Sequence, residues 1–328
     1  MTASQVPDLA DVFAARQRIA PYLRATALYR YPALDAMTGA EVWVKHENHQ
    51  PVGAFKVRGG VNLVSQLSAE ERHQGVIAAS TGNHGQSVAY AAELFGVRAV
   101  ICVPEQANPV KVESMRALGA EVVFHGRDFD EAREHCEKQA TEHGYRYIHS
   151  GNESALIAGV ATYTVEILEA QPDIEVIVVP VGGGSGAAGA CVVASAVRQS
   201  IEVIGVQSEA APAAYRSWEA GTLVEDTNTT FAEGLATRTA FELPQVILRE
   251  LLDDFVLVSD DALKGATRLM IEKTRNLVEP AGAAALAAVL GDPQRFAGRR
   301  IAIVCSGGNI SPSQLTELWP HESASPHR

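Results

Sequence analysis

Cysteine is scarce in this sequence. Its four cysteines form no C-x-x-C pair, and three of them lie in apolar segments. Such residues are typical of small, reduced core side chains, so we expect neither a disulfide scaffold nor a thiolate metal site, and no metal is predicted. The four residues are Cys102, Cys136, Cys191 and Cys305.

Long hydrophobic runs and an excess of positive charge are also missing. The longest apolar helix-like stretch, residues 281–290, is too short and too rich in alanine to span a bilayer, and residues 1–20 lack the pattern of a signal peptide. The formal net charge of −12 repels nucleic-acid phosphates and anionic membranes. We therefore predict a cytoplasmic protein with neither nucleic-acid nor membrane partners.

What remains is the composition of an ordinary folded protein. The 328 residues are 47% hydrophobic and 20% charged, and this length suits about two domains. A helix is predicted from about Asp8, a strand at 41–45, and a frayed end from Pro320. Between them, runs rich in Val and Ile alternate with helix-length stretches, which predicts an α/β fold of parallel strands buried by helices on both faces. The runs are 75–79, 98–104, 121–125, 145–149, 174–181, 201–207, 255–259 and 300–305.

Three glycine-bearing segments follow predicted strands. Because ligands of open parallel sheets bind beyond the carboxyl ends of the strands, we expect all three segments to face one crevice. The first, residues 80–85 (STGNHG), opens a predicted helix. Free N–H groups at a helix start bind anions, so a substrate carboxylate suits this segment, although an ordinary capped turn is an alternative explanation.

The second segment, residues 181–189 (VGGGSGAAG), predicts a phosphate cradle. Consecutive glycines let backbone N–H groups approach an anion closely, and the helix that follows adds its positive end. The third segment, residues 306–309 (SGGN), offers close-approach glycines and a hydroxyl that can meet a ring nitrogen. A loop without a ligand explains this third segment equally well.

A lysine in an apolar setting is the fourth feature. Lys56 lies between Phe55 and Val57 in the glycine-flanked segment 51–60. Such a setting penalises the ammonium form, so the pKa falls and the amine becomes nucleophilic. A lone lysine is more commonly a solvated surface charge, so this feature gains its weight from the other three.

The second segment also satisfies a rival template. Residues 184–189 have the form G-x-G-x-x-G between a strand and a helix, and Glu209 lies twenty residues further on. This is the fingerprint of dinucleotide binding, so a nicotinamide-dependent oxidoreductase is an alternative. Against it, the fingerprint begins past the midpoint of the chain and leaves the other three segments unexplained. A non-enzymatic binding protein, which needs the cradle but no reactive lysine, is a further alternative.

Together, the four segments resemble the fold-type II pyridoxal-phosphate enzymes, above all the threonine and serine dehydratases (ammonia-lyases) and the related serine racemases. The motifs occur in that family's order and spacing over about residues 9–314. The resemblance implies two parallel-type, mixed sheets flanked by helices. It also implies a large cofactor-binding domain of residues 1–72 and 150–328, and a small mobile domain of residues 73–149.

The resemblance assigns roles to the motif residues. Lys56, beside Phe55, matches the Schiff-base lysine that holds pyridoxal 5′-phosphate, and Asn83 matches the asparagine that hydrogen-bonds the ring oxygen. Ser306 matches the serine that faces the pyridine nitrogen, and Glu279 matches a glutamate near the ring. The other matches are the phosphate loop Gly182, Gly183, Gly184, Ser185 and Gly186, the backbone contact Gly234, and the residues around the substrate carboxylate, Ser80, Thr81, Gly82 and His84.

Three departures from the family pattern bear on activity. Ser185 replaces a fourth glycine, but its hydroxyl can still donate to phosphate. Thr81 stands where the racemases carry a serine as second base, which puts racemisation in doubt. Gln207 and Ala213 fall roughly where the two carboxylates of the racemases' divalent-cation site belong, so that site is expected to be lost.

The resemblance implies α,β-elimination on a small hydroxy-amino acid, with L-threonine or L-serine the leading substrate and a 2-oxo acid and ammonia the products. Lys56 is the predicted general base, and Thr81 is the second predicted catalytic residue, helping to hold the carboxylate. An amino-acid racemase is the alternative, as is a dehydratase for 3-hydroxyaspartate or another related substrate. By analogy with the family, we expect a homodimer.

Overall fold

The computed structural model of the protein describes residues 6–319. It contains two sheets flanked by helices, so the predicted fold class is confirmed. The frayed end predicted from Pro320 lies outside the described residues. The ten strands within this range are β1 (Leu28–Arg30), β2 (Glu41–His46), β3 (Val76–Ala79), β4 (Ala99–Val103), β5 (Glu121–Phe124), β6 (Arg146–Tyr147), β7 (Val176–Pro180), β8 (Glu202–Ser208), β9 (Asp254–Val258) and β10 (Arg300–Cys305).

The strands form a six-stranded sheet in the order β1-β2-β10-β7-β8-β9 and a four-stranded sheet in the order β5-β4-β3-β6. All neighbouring strands are parallel except β1 and β2, which makes the larger sheet mixed. The smaller sheet is parallel throughout. Parallel neighbours require crossover connections, and helices supply them.

The helices of the described residues cover both faces of the two sheets. In chain order they are α1 (Leu9–Ile19), α2 (Pro32–Thr38), α3 (Lys56–Val64), α4 (Ala69–Gln74), α5 (Asn83–Phe95), α6 (Pro109–Ala117), α7 (Phe129–His143), α8 (Ser154–Ala170), α9 (Ser185–Val197), α10 (Ala213–Ala220), α11 (Glu242–Leu251), α12 (Asp260–Thr274), α13 (Pro280–Gly291), α14 (Pro293–Phe296) and α15 (Pro312–Leu318). Short 3₁₀ turns lie at Glu47–His49 and Glu233–Leu235.

Alternate residues of the central strands are buried on opposite faces. In β7, Val176 and Val178 belong to one apolar cluster, whereas Ile177 and Val179 belong to another. Successive side chains of a strand point to opposite faces, so both faces of this sheet are covered. This double burial explains why the strands appear in the sequence as unbroken apolar runs.

Each predicted apolar run overlaps a strand of the structure, and the strand predicted at 41–45 corresponds to β2. The opening helix is also present, because the Asp8 side chain accepts a hydrogen bond from the N–H of Asp11 and caps α1. Strand β1 was not predicted. Its three residues lie at the edge of the sheet and are largely exposed, so they lack the apolar run by which a buried strand is recognised.

The smaller sheet and its helices are formed by residues within 73–149, and the larger sheet is formed by residues on either side of that segment. The predicted boundaries at residues 72 and 150, and the mobility of the small domain, stay predictions. All four cysteines are buried and free. No described helix has the length and apolarity needed to cross a membrane.

Candidate active site

One pocket lies beyond the carboxyl ends of strands from both sheets. Its empty space, open solvent included, is about 870 Å³. All fifteen residues predicted from the motifs line it. They are Phe55, Lys56, Ser80, Thr81, Gly82, Asn83, His84, Gly182, Gly183, Gly184, Ser185, Gly186, Gly234, Glu279 and Ser306.

Lys56 is the first residue of α3 and points into this pocket. Its Nζ donates to the backbone oxygen of Ser150 at 3.0 Å and to Ser185 Oγ at 2.8 Å. Burial lowers the pKa of Lys56 from 10.5 to about 8, because its ammonium loses solvation and has no carboxylate partner. An appreciable fraction of this amine is therefore neutral and nucleophilic near neutral pH.

The glycine loop after β7 forms a cradle that side chains would fill. A Cβ at Gly183 would lie 2.1 Å from the Phe241 ring, and one at Gly182 would lie 2.3 Å from the Gly234 oxygen. Gly184 has a φ of +89°, a conformation that favours glycine. The loop leads directly into α9, whose first N–H groups have no partner within the helix. Closely covered glycines followed by free N–H groups at a helix start suit an anion such as phosphate.

The segment after β3 begins α5 and is braced by Ser80. Ser80 Oγ accepts hydrogen bonds from the N–H of Gly82 at 3.0 Å and of Gly85 at 2.8 Å. The Thr81 hydroxyl has no hydrogen-bond partner among residues 6–319 and remains available to a ligand. The thirteen-residue helix α5 adds its free N–H groups, so this end of the pocket suits a carboxylate.

His84 contributes no positive charge to this segment. Its Nε2 lies 3.2 Å from the backbone oxygen of Ile148, and its buried Nδ1 has no partner within the described chain. Burial and the nearby Lys56 lower the pKa of His84 to about 3. A neutral imidazole that donates through Nε2 presents a lone pair at Nδ1, so this side chain suits a ligand hydroxyl better than a carboxylate.

Asn83 is held in a chain of polar groups. Its Nδ2 donates to Glu279 Oε1 at 2.6 Å, and its Oδ1 accepts from Asn309 Nδ2 at 2.8 Å. The amide keeps a second N–H, so it can still donate to a ligand's ring oxygen. Burial raises the pKa of Glu279, and the opposing influence of Lys111, 3.8 Å away, comes second.

Ser306 lies at the end of β10 on the pocket wall, 6% exposed. Its backbone oxygen accepts a hydrogen bond from the N–H of Phe55 at 3.0 Å, which ties the turn before Lys56 to the end of this strand. The Ser306 hydroxyl has no partner among residues 6–319 and can meet a ligand nitrogen.

Sequence reasoning missed several pocket residues. Lys111 is 4% exposed, lies on α6 and donates to Glu233 Oε2 at 2.6 Å, yet in the sequence it resembles any helical lysine. Phe241 closes the cradle from a distant loop, and Ser150 contributes only a backbone oxygen. Glu233 was within reach of sequence reasoning, because it directly precedes the predicted contact Gly234.

The rival dinucleotide interpretation finds no support in this geometry. Glu209 follows β8, is exposed and does not line the pocket. Gly189 serves helix packing instead, since a Cβ there would lie 3.0 Å from the backbone of Ala161 in α8. No group of three or more potential metal-ligating side chains occurs among the described residues.

The pocket therefore combines a lysine whose pKa is lowered, a glycine cradle that suits an anion, and two hydroxyls without partners among residues 6–319. These groups fit pyridoxal 5′-phosphate: Lys56 matches its aldehyde, the loop at Gly182–Gly184 its phosphate, and Ser306 its ring nitrogen. The chain belongs to the family of pyridoxal-phosphate dependent enzymes, whose model matches residues 19–307. The predicted family and cofactor are thereby confirmed, and the nicotinamide alternative is wrong.

Within this family, several curated relatives are amino-acid ammonia-lyases. The chain is 37% identical to an L-threonine ammonia-lyase of Thermotoga maritima over 94% of its own length and 77% of that protein. It is 35% identical to an L-threo-3-hydroxyaspartate ammonia-lyase of Saccharomyces cerevisiae over 95% and 96% of the two chains. The structure of maize serine racemase superposes with a TM-score of 0.89 at 31% identity, covering 95% of this chain and 97% of that one.

Proposed function

We propose that this enzyme is a pyridoxal-phosphate-dependent ammonia-lyase that acts on a small hydroxy-amino acid, with L-threonine or L-serine as the leading substrate. The products are a 2-oxo acid and ammonia. The observation that carries the proposal is the Lys56 amine, which has no carboxylate partner among residues 6–319 and shares one pocket with the glycine cradle. Relatives named as L-threonine ammonia-lyases support the same activity.

The cofactor, when bound, supplies the electron sink for the charge that develops at Cα of the substrate. Lys56 and Ser185 hold one side of the pocket, while Asn83 and Ser306 are placed to orient the ring. Gly182, Gly183 and Gly184 would hold the phosphate, with Phe55, Gly186, Gly234 and Glu279 around the rest of the group.

Lys56 is the proposed general base at the substrate Cα. A base is most effective when its pKa lies near the working pH, and burial brings the pKa of Lys56 to about 8. The ammonium that results from proton abstraction stays within the pocket, held by Ser150 and Ser185. It can then protonate the departing β-hydroxyl, which leaves far more easily as water than as hydroxide.

The segment 80–84 is the proposed carboxylate site. Thr81 offers a free hydroxyl and α5 its positive end, while Gly82 keeps the turn open and donates its own N–H to Ser80 Oγ. Ser80 acts mainly by bracing the turn, and neutral His84 can accept a hydrogen bond from a substrate hydroxyl. Fixing the carboxylate here orients Cα toward Lys56.

Ser306 influences the choice of reaction. A serine hydroxyl is uncharged, so it does not favour protonation of a ring nitrogen as a carboxylate would. Charge at Cα is then less deeply stabilised, which favours prompt loss of a β-substituent over reversible reprotonation. This consideration favours elimination over racemisation.

A racemase is the second candidate, favoured by the close superposition with maize serine racemase. Thr81 retains a hydroxyl that could act as second base, although its methyl group restricts the approach. Gln207 is buried and its Oε1 accepts from the N–H of Tyr215, so its side chain serves the start of α10 rather than a cation.

Two measurements test the proposal. The purified protein should be yellow, should lose its visible band on borohydride reduction, and should then carry the cofactor's mass on the Lys56 peptide. A panel of L-threonine, L-serine and 3-hydroxyaspartate, assayed for 2-oxo acid and for chirality, separates lyase from racemase. The absence of cofactor mass at Lys56 would refute the proposed function; release of the opposite enantiomer without 2-oxo acid would replace it with the racemase.

We further propose a cytoplasmic homodimer in which residues 73–149 form a small mobile domain. The net charge of −12 supports solubility in the cytoplasm. The pocket lies between segments of both sheets, so relative movement of the two would open and close it. Light scattering tests the homodimer, and hydrogen exchange with and without substrate tests the mobility of residues 73–149.

A further inference from the structure

Ser185 has contacts that set it apart from the rest of the glycine loop. It is 1% exposed, it is the first residue of α9, and its Oγ accepts a hydrogen bond from Lys56 Nζ at 2.8 Å. Within residues 6–319 this is the only hydrogen bond of the Ser185 side chain. A hydroxyl has one proton to donate and two lone pairs, so the donor of this hydroxyl is unused.

The geometry of the glycine loop indicates where the Ser185 hydroxyl can donate its proton. Gly182, Gly183 and Gly184 are closely covered or held at positive φ, so none of them tolerates a side chain. Ser185 is therefore the first side chain after the cradle, at the point where the N–H groups of α9 converge. While Lys56 donates to Oγ, the hydroxyl proton must point elsewhere, and the cradle is the open polar space beside it.

We propose that Ser185 is a positioning residue that joins the Lys56 amine to the cofactor phosphate through one hydroxyl, accepting from the amine and donating to a phosphate oxygen. The inference rests on the proposed function, because the phosphate belongs to the cofactor. It gives the replacement of a fourth glycine by serine a specific purpose. The amine and the phosphate are held by one group and cannot shift independently.

No other group described around Lys56 can both accept a hydrogen bond from the amine and donate one to a phosphate. Burial lowers the pKa of His84 to about 3 and that of His149 to about 4, so both imidazoles are neutral. The second partner of Lys56 is the backbone oxygen of Ser150, which accepts but cannot donate onward. Ser185 is thus the only partner of Lys56 in the described chain that can pass a hydrogen bond to an anion.

The test compares two ligands on the full-length enzyme after removal of its cofactor. Dissociation constants are measured for pyridoxal 5′-phosphate and for pyridoxal, which lacks the phosphate, in the parent, Ser185→Ala and Ser185→Gly. The ratio of the two constants isolates the contribution of the phosphate. The dissociation constant of pyridoxal divided by that of pyridoxal 5′-phosphate should fall about tenfold in both variants, because a hydrogen bond to the charged phosphate is lost.

The amine half of the link is measured separately. Competitive acetylation of the cofactor-free protein, followed by mass analysis of the Lys56 peptide, gives the apparent pKa of Lys56. Loss of an acceptor destabilises the ammonium, so this pKa should fall in both variants. Ser154→Ala is the matched control, because Ser154 is the first residue of α8 but lies outside the pocket; neither readout should change.

An unchanged ligand ratio in both variants would overturn the proposal, as would an altered ratio with an unchanged pKa of Lys56, since Ser185 would then serve the phosphate alone. If the parent protein binds neither ligand, the proposed function itself fails. Thermal unfolding of each cofactor-free variant verifies that the comparison is made between folded proteins.

Discussion

Helix α3 carries two buried cations only two residues apart, and their surroundings differ completely. Arg58 donates to Glu47 at 2.7 and 2.8 Å and to Glu166 at 2.7 and 2.8 Å, with Thr162 as a further partner. Among residues 6–319, Lys56 Nζ donates only to neutral oxygens, those of Ser150 and Ser185, and it lies 5.3 Å from the centroid of the Phe55 ring. One side chain is fully paired within the protein, whereas the other faces an open pocket.

The two pKa shifts follow from this difference. Burial tends to lower the pKa of Arg58, but Glu47 and Glu166 outweigh it, so the pKa is raised overall. Lys56 experiences burial alone, and its pKa falls to about 8. Lys45, 2.5 Å from Glu166, completes a cluster of two cations and two anions beneath the pocket. The paired cluster fixes where α3 begins, while the missing partner makes Lys56 reactive.

Lys56→Met should produce the largest effect. Activity should fall by more than about 1,000-fold, because both the covalent attachment and the base are lost. The free energy of unfolding of the cofactor-free protein should stay the same or rise, since a poorly solvated ammonium is removed. Steady-state 2-oxo acid production and chemical denaturation measure the two quantities. A loss of stability that matches the loss of activity would contradict the comparison.

Arg58→Met should show the opposite pattern. Removing one partner of a buried ionic cluster leaves Glu47 and Glu166 without their guanidinium, which should lower the free energy of unfolding by about 3–5 kcal/mol. Urea denaturation of the cofactor-free protein measures this. Arg58→Lys is the matched control and should recover only part of the stability, because an ammonium cannot make the paired contacts of a guanidinium. If Arg58→Met is stable but inactive, the ionic cluster around Arg58 takes part in the chemistry and does not serve stability alone.

Lys111 lies between these extremes, with carboxylates on one side and the pocket on the other. Lys111→Met should lower the free energy of unfolding by about 2 kcal/mol near pH 8, since it leaves Glu233 and the buried Glu279 without their cation. The pKa of Glu279 is already raised by burial and should rise further.

A raised carboxyl pKa means that the folded protein binds the extra proton, so stability is lost as the pH rises above the ordinary carboxyl range. The loss in Lys111→Met should therefore be smaller near pH 5 than near pH 8. The double variant Lys111→Met with Glu279→Gln should remove this pH dependence. Equal pH profiles for Lys111→Met and the parent would show that Lys111 does not influence Glu279.

The fold was predictable because its signals are local. Doubly buried parallel strands leave apolar runs, and the glycine segments follow directly at their ends, so Ser80, Gly182 and Ser306 could be assigned to one crevice. The ionic partners were not predictable. Glu166 lies 108 residues from Arg58, and Lys111 reaches Glu233 across 122 residues. Which buried cation acquires a carboxylate depends on tertiary packing, and no local pattern records it.

The smallest predicted effect concerns the pH dependence of stability that Lys56 causes. The pKa of Lys56 is about 8 in the folded protein, against 10.5 for an ordinary, solvated lysine in an unfolded chain. The folded state therefore binds fewer protons between these values, so the burial penalty is complete below about pH 8 and disappears as the pH rises toward 10.5.

In the cofactor-free protein, the difference in free energy of unfolding between the parent and Lys56→Met should narrow by about 1 kcal/mol between pH 8 and pH 10, allowing for partial solvation of the pocket. The same experiment on Arg58→Met should show no such narrowing, because the carboxylates around Arg58 keep it protonated in both pH conditions. If the difference in free energy of unfolding from the parent changed with pH in the same way for both variants, Lys56 would be as well paired as Arg58. The contrast between the two cations would then be wrong.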